Sequence, residues 1–193
     1  MIKQLCSAVF YVHNDYRLAH LDIKPDNLVF NDNNQLALID LGHTEKIGAS
    51  INHPTGTAMY RPEEIESGAP YQVAPADIYG LAMTILVIMI QDLPFGKVDR
   101  RTLNRIYTRS GTRASFFRIL YGSFRDVDER HPLELQELLY RCLNPNPAER
   151  PGIHEFLDCA WIVDAPETLD ANLTHELNQI MGLKPHPNDQ WNW

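Results

Sequence analysis

The sequence is poor in cysteine, and it has no arrangement of cysteines that could serve as a structural framework. Its three cysteines, Cys6, Cys142 and Cys159, are widely spaced and form no CxxC pair. An odd, scattered set provides neither a disulfide framework nor a zinc knuckle, and it suits a reducing compartment. We therefore expect a cytoplasmic or nuclear protein.

A deficit of positive charge argues against two classes of partner. Lysine and arginine total 17 against 25 aspartates and glutamates, which gives a formal net charge of −8 at pH 7. Nucleic acids and anionic membranes both require basic patches, so we expect neither as a partner. The apolar run 81–90 is too short to span a bilayer, and residues 1–10 lack the pattern of a signal peptide.

What the first part of the chain does contain is one helix, one hairpin and one long loop. The length of 193 residues suits a single domain with its own core. Apolar residues within 2–10 repeat with the helical period, before a break at 14–15. The apolar runs 28–30 and 36–39 flank turn-forming residues and predict a β-hairpin. Glycine and proline recur through 40–64, which predicts a long ordered loop of the functional kind.

The rest of the chain is predicted to be helical. Residues 77–91 are apolar on nearly every face, which is typical of a helix buried in the centre of a domain. Further helices are predicted around 102–108, 114–120, 135–143 and 153–161, and another from 166 to 181. The fold class is therefore mainly α, with a short β-hairpin.

Four polar residues could together perform phosphoryl transfer. Residues 20–27 contain Asp22, Lys24 and Asn27, and Asp40 follows the predicted hairpin. Phosphoryl transfer needs a carboxylate to orient the attacking hydroxyl, oxygen ligands for Mg²⁺ and a cation for the transferring phosphate. These four side chains supply those parts, and we expect the hairpin to bring Asp40 back beside Asn27.

Five motifs in the family's order resemble those of the eukaryotic-type protein kinases. HLDIKPDN at 20–27 resembles the catalytic loop HRDxKxxN, and DLG at 40–42 resembles the magnesium-binding DFG. GTAMYRPEE at 56–64 resembles the close of the activation segment, and DIYGL at 77–81 resembles the start of the central helix. The remaining motif, NP at 144 with RP at 150 and WI at 161, resembles the end of the kinase fold. Lys24, two residues after Asp22, matches the serine/threonine type.

The resemblance implies a domain plan. Residues 1–163 would form the kinase C-terminal lobe, and residues 164–193 would form a C-terminal helix and tail. Within the lobe, 20–27 is the catalytic loop, 40–64 is the activation segment and 77–91 is the central helix. The β-hairpin would lie at the edge of the catalytic cleft.

The resemblance also implies a reaction and its cofactors, namely transfer of phosphate from ATP, with Mg²⁺, to a protein serine or threonine. Asp22 would be the catalytic base, and Lys24 would contact the γ-phosphate. Thr57 would line the substrate pocket. Asn27 and Asp40 would be the magnesium ligands.

Other positions would support this site. Val29 would form the floor under the adenine ring of ATP, and His20 would be a structural core histidine. Asp77 would hold the catalytic loop by accepting its backbone N–H groups. Either Glu63 or Glu64 would pair with the family's buried arginine, Arg150.

Three positions depart from the family pattern. Leu21 replaces the arginine that receives an activation-loop phosphate, so we expect no need for phosphorylation of that loop. The alanine of the family's APE motif is displaced, so the segment is either one residue short or carries Pro62 at the alanine position. Leu41 replaces phenylalanine, which is a tolerated apolar exchange.

No glycine-rich loop, VAIK lysine or helix C glutamate is found in the sequence. These parts of the N-terminal lobe cover ATP and pin its α- and β-phosphates. We therefore expect that the N-terminal lobe is absent, that the chain alone binds ATP poorly and transfers phosphate negligibly, and that a separate N-terminal lobe is a candidate partner.

Two function classes stay open at this point. Retention of Asp22, Lys24, Asn27 and Asp40 favours a catalytic lineage. Leu21 and the missing lobe favour a pseudokinase-like module that binds a protein without catalysis.

Overall fold

The first helix supports the β-hairpin that precedes Asp40, one of the two predicted magnesium ligands. We describe a computed structural model of the chain, which covers residues 1–31, 33–90, 100–122 and 132–165. Helix α1, Ile2–Asn14, buries one apolar face. Strands β2, Leu28–Phe30, and β3, Leu36–Leu38, pair antiparallel and form the predicted hairpin. The side-chain amide of Gln4 accepts a hydrogen bond from the backbone N–H of Leu36 at 2.9 Å, which ties the hairpin to α1.

Four shorter strands stabilise the segment expected to be a loop. Strand β1, Leu18–Ala19, pairs antiparallel with β4, Glu45–Lys46. Strand β5, Ser50–Ile51, pairs in the same way with β6, Tyr71–Gln72. Each is only two residues long, which is too short to show alternation in a sequence. These pairings therefore lay outside what periodicity could predict.

The central helix α2, Val73–Ile90, begins earlier than the sequence indicated. Its predicted start at Asp77 is wrong by a full turn. Pro75 is compatible with this earlier start because it lies in the first turn, where the backbone N–H groups have no hydrogen-bond partner within the helix. Residues 76–87 are all buried, as the all-round hydrophobicity predicted. The predicted end at Gln91 lies outside the described residues.

The second half is helical, as predicted, and its helices pack around α2. They are α3, Arg100–Ser110; α4, Arg113–Gly122; α5, Leu133–Cys142; α6, His154–Asp158; and α7, Ala160–Val163. The single helix predicted over 153–161 is wrong, because an extended Cys159 separates α6 from α7. The helix predicted from 166 to 181 lies outside the described residues.

The mainly α fold class is confirmed. One large apolar core joins α1, α2, α4 and α5, with Tyr79, Phe116 and Phe156 among its largest fully buried side chains. Within the described ranges, no helix has both the length and the hydropathy needed to cross a bilayer.

A smaller apolar cluster lies between the catalytic loop, the activation segment and the start of α2. Its buried members are Ala19, Leu21, Ile65, Tyr71, Val73 and Ala76, and its partly buried members are Ile47, Ala49 and Ile51. We call it the activation-segment cluster. Because it contains residues from β5, β6 and the loops on either side of β5, it fixes that segment by apolar burial.

Shortening a leucine to alanine should cost much more stability at a buried position than at an exposed one. Leu86 on α2 is 0% exposed, so Leu86→Ala should lower the free energy of unfolding by about 2–5 kcal/mol through lost burial and a cavity. Leu133, at the start of α5, is 66% exposed, and Leu133→Ala should change it by less than about 0.5 kcal/mol. Urea denaturation of both variants measures the difference, and equal losses would contradict the described core.

Candidate active site

A single buried carboxylate holds the start of the catalytic loop. Asp77, on the first turns of α2, is 2% exposed. Its Oδ2 accepts the backbone N–H of His20 at 2.7 Å, and its Oδ1 accepts the N–H of Leu21 at 2.7 Å. The Nε2 atom of His13 also lies 2.7 Å from Oδ2. Asp77 is thus placed as the sequence anticipated.

His20 is fully buried, and its two ring nitrogens take different roles. Nδ1 lies 3.2 Å from the backbone N–H of Asp22, which can only donate, so Nδ1 accepts. Nε2 lies 3.0 Å from the carbonyl of Ile39, which can only accept, so Nε2 donates. The neutral Nε2–H tautomer therefore joins the catalytic loop to the end of β3.

Asp22 lies at the centre of the candidate site. Its Oδ1 accepts the backbone N–H of Thr57 at 2.7 Å, and its Oδ2 lies 2.8 Å from Nζ of Lys24. Burial would raise the pKa of Asp22, but hydrogen bonds from Lys24 and Thr57 and the charge of Lys24 outweigh it. The net result is a lowered pKa, so the carboxyl group is ionised at neutral pH.

Lys24 and Thr57 connect the catalytic loop to the activation segment. Nζ of Lys24 donates to the hydroxyl of Thr57 at 2.7 Å while it contacts Asp22. Tyr60 lines a small recess together with Asp22 and Thr57. Burial raises the pKa of Tyr60 to about 12, with smaller contributions from the charges of Asp26 and Asp22. Its hydroxyl is therefore neutral.

Asn27 is oriented by Asp22. Its Nδ2 donates to the carbonyl of Asp22 at 2.8 Å and to its Oδ2 at 3.1 Å. The amide oxygen is therefore the atom of Asn27 that can coordinate a cation. The backbone N–H of Ile39 donates to the carbonyl of Asn27 at 2.9 Å, so the hairpin returns the chain beside Asn27.

Asp40 follows immediately and is exposed. Its left-handed backbone, with φ of 66°, lets Oδ1 accept the N–H of Gly42 at 3.2 Å. Asp40 and Asn27 offer hard oxygen donors of the kind Mg²⁺ prefers, and Mg²⁺ is usually bound by one or two carboxylates plus substrate phosphates. In the described ranges, no group of three or more His, Cys, Asp or Glu side chains could hold a metal ion. The donor chemistry therefore fits a magnesium ion shared with a phosphate-bearing substrate.

Val29 lies in the middle of β2, where it is paired with Ala37 and half-buried. The neighbouring Leu28 is fully buried in the main core. Val29 is therefore on the hairpin, in the strand that follows Asn27.

Arg150 contacts Glu64, and Glu63 has a different partner. The Arg150 guanidinium makes two hydrogen bonds to the Glu64 carboxylate, at 2.5 and 3.0 Å, and its side chain is 0% exposed. Glu63 instead accepts a hydrogen bond from Asn104 at 2.7 Å. Glu64 thus takes the place of the family's glutamate, which puts Pro62 at the alanine position with no residue missing.

Leu21, at the position of the family's arginine, is 6% exposed and belongs to the activation-segment cluster. Its φ of 63° is unusual for a residue other than glycine. Apolar packing therefore occupies the place where a charged side chain would meet a phosphate.

His13 is the residue that sequence reasoning missed. Its partner Asp77 is 64 positions away, so no local pattern joins the two residues. The one available signal was its position at the end of a periodic helix, in line with the buried Leu5, Cys6 and Val9.

The comparisons with known proteins point to one family. Residues 1–162 match the family model described as the protein kinase domain. The chain is 27% identical over 199 residues to CBL-interacting protein kinase 15 of Oryza sativa subsp. japonica, covering 96% of this chain and 43% of that protein. It is 28% identical over 166 residues to sperm motility kinase 3A of Mus musculus, covering 85% of this chain and 30% of that protein.

A further rice relative, CBL-interacting protein kinase 29, is 32% identical over 160 residues, which cover 82% of this chain and 33% of that protein. The chain therefore spans less than half of the length of these curated relatives.

The close approach of the activation segment to the catalytic loop is testable at Gly56. With φ of +73°, an added Cβ would lie 2.0 Å from the carbonyl oxygen of Leu21. Gly68 has a similar φ of +70° but open space around it, so it isolates the cost of backbone strain. Gly56→Ala should therefore destabilise the chain by about 1–3 kcal/mol more than Gly68→Ala, as an overpacked contact does. Thermal unfolding measures both, and equal losses would show that the two segments are not in contact.

Proposed function

The chain belongs to the protein kinase domain family, and from that premise we propose that it is the phosphate-transfer part of a protein serine/threonine kinase. The observation that carries this proposal is the arrangement around Asp22. Its ionised, buried carboxylate is held by Lys24, Asn27 and the backbone of Thr57. Such a preorganised carboxylate suits the orientation of an attacking hydroxyl.

In this proposal each side chain has a stated task. Asp22 accepts the proton of the protein hydroxyl, and Lys24 neutralises charge on the transferring phosphate. Thr57 positions Lys24 through its hydroxyl and Asp22 through its N–H. Mg-ATP, when bound, supplies the phosphoryl group and the neutralising metal charge, with Asn27 and Asp40 as the residues that would hold the metal.

We infer the domain boundaries from the same features. Residues 1–163 act as the C-terminal lobe, because the apolar core closes with Ile162 on α7. The remaining residues, 164–193, lie outside these proposed boundaries. The free cysteines, two of them buried, are compatible with the cytoplasm or nucleus.

Phosphate transfer by these 193 residues alone should be negligible. The sequence contains no glycine-rich loop or VAIK lysine to cover ATP. Positioning of the reactants lowers a reaction barrier by roughly 7–11 kcal/mol. A site without the parts that cover ATP should lose much of this contribution.

The activation segment should not need phosphorylation. Leu21 and the other members of the activation-segment cluster bury apolar surface where a phosphate would otherwise be bound. The Arg150–Glu64 pair anchors the far end of the segment. The segment is thus ordered by contacts that need no added charge.

The test of the proposed function is substitution of Asp22 in the longest natural polypeptide that carries residues 1–193. Asp22→Asn should lower the rate of phosphate transfer from ATP to a serine- and threonine-rich protein such as casein by about 10²–10⁴-fold, because the general base is lost. Asp26→Asn is the matched control, since Asp26 lies in the same loop but is exposed. It should keep nearly full activity.

Two outcomes would count against this proposal. Unchanged transfer by the Asp22→Asn variant would remove Asp22 from the reaction. Absence of transfer by the longest polypeptide, in saturating Mg-ATP, would leave the pseudokinase-like binding module as the better account.

A further inference from the structure

A second cavity is lined by His13, the histidine that contacts Asp77. It encloses about 260 Å³, slightly below the ~300–1,000 Å³ of typical small-molecule sites. Its walls include the apolar side chains of Ile47, Ile78 and Ile153, and its polar side chains are His13, Asn14, Arg17, Arg150 and His154. This combination is that of a ligand site.

The ionisable groups around this cavity are cationic or neutral. Arg17, His13 and His154 line it, and none of the described residues that line it is acidic. This is unusual for a chain with a net charge of −8. The other lining arginine, Arg150, is already committed to Glu64.

Arg17 is the cation that can bind a ligand. Its guanidinium makes no hydrogen bond or ion pair with any residue that the structure describes, Asp15 included. Its backbone is fixed in the left-handed region, with φ of 55°, and its carbonyl accepts the N–H of Ile47 at 2.8 Å. Arg17 is therefore held at the cavity by its backbone while its side chain stays available.

His13 offers a second hydrogen-bonding group at this cavity, the Nδ1 atom of its ring. Its Nε2 contacts the Asp77 carboxylate and must donate, so Nδ1 is an acceptor whenever the ring is neutral. Nδ1 has no partner among the described residues. A ligand that meets both side chains needs oxygen atoms that accept from Arg17 and an O–H that donates to His13.

We infer that this cavity binds a phosphate monoester on a compact apolar body. Near neutral pH such a group exists partly as a monoanion, because its second pKa is about 6, so it carries acceptor oxygens and one O–H. A carboxylate offers acceptors only, and a neutral alcohol cannot form the paired hydrogen bonds that arginine makes with phosphate. The apolar body would pack on the isoleucines of the wall.

The same geometry links this cavity to the catalytic loop. His13 contacts Asp77, and Asp77 holds the N–H groups of His20 and Leu21. A ligand on His13 is thus two side-chain contacts away from the loop that carries Asp22. This inference concerns a separate site and does not depend on phosphate transfer.

Amide NMR of the 193-residue chain, titrated with phenyl phosphate, tests this site. Saturable shifts should appear at Arg17, Ile47 and Gly152, which line the cavity, and at His20 and Leu21 through Asp77. Phenol and benzoate should bind at least about tenfold more weakly, because each lacks part of the required hydrogen bonding.

Arg17→Gln should weaken phenyl phosphate binding by about tenfold or more, through loss of a charged hydrogen bond. Arg109→Gln, at an exposed arginine on α3, is the matched control and should leave the affinity unchanged.

Several results would overturn the site: no saturable shifts, equal binding of phenol, or equal affinity of the two variants. Shifts confined to the cavity would overturn its link to the catalytic loop. A blocked phosphotyrosine peptide that bound more tightly than phenyl phosphate would assign the phosphate to a protein partner and overturn a small-molecule source.

Discussion

The candidate site depends on one buried carboxylate, that of Asp77. Three N–H donors surround it, from the His13 side chain and from the backbones of His20 and Leu21. A buried carboxylate is costly unless hydrogen bonds satisfy it, and hydrogen bonds to charged groups contribute about 1.5–3 kcal/mol each. The need to satisfy this one charge therefore imposes the conformation of the catalytic loop.

Helix α2 serves as a common support because it is buried on all sides. Asp77 emerges from it toward the catalytic loop, and the hydroxyl of Thr84 donates to the carbonyl of Ile23 at 3.0 Å. The start of the same helix takes part in the activation-segment cluster through Val73 and Ala76. Both segments that meet at the candidate site are thus positioned against one rigid element.

The meeting of those segments depends on short contacts that leave no room for larger side chains. Gly56 passes so close to Leu21 that a methyl group has no space. The next residue, Thr57, then donates its N–H to Asp22 and receives a hydrogen bond from Lys24. Backbone proximity, made possible by a glycine, is what places Thr57 beside Asp22.

The sequence was sufficient to predict most helices, the hairpin and the polar residues around Asp22. Their local patterns are strong: all-round hydrophobicity in α2, two apolar runs around a turn, and motifs at fixed spacing. The short strands β4 and β5 could not be predicted, because two residues carry no periodicity. The early start of α2 was missed because Pro75 resembles a helix stop as much as a first-turn residue.

The pairings between distant residues were harder to predict. Glu63 and Glu64 are adjacent and chemically similar, so only the path of the chain shows which of them faces Arg150. His13 and Asp77 have no local signal that joins them. The apolar role of Leu21 was inferred only as the loss of a phosphate acceptor, because its packing partners come from segments far along the chain.

Hydrogen exchange of the His20 and Leu21 amides in an Asp77→Asn variant tests the central claim most directly. The amide side chain keeps one acceptor oxygen but presents an NH₂ group in place of the other, so protection of at least one of the two amides should fall, with a loss of at least about 2 kcal/mol in unfolding free energy. Asp158→Asn, at an exposed carboxylate on α6, is the control and should leave protection unchanged. Equal protection of both amides in the two variants would contradict the account, because the catalytic loop would then not be held by Asp77.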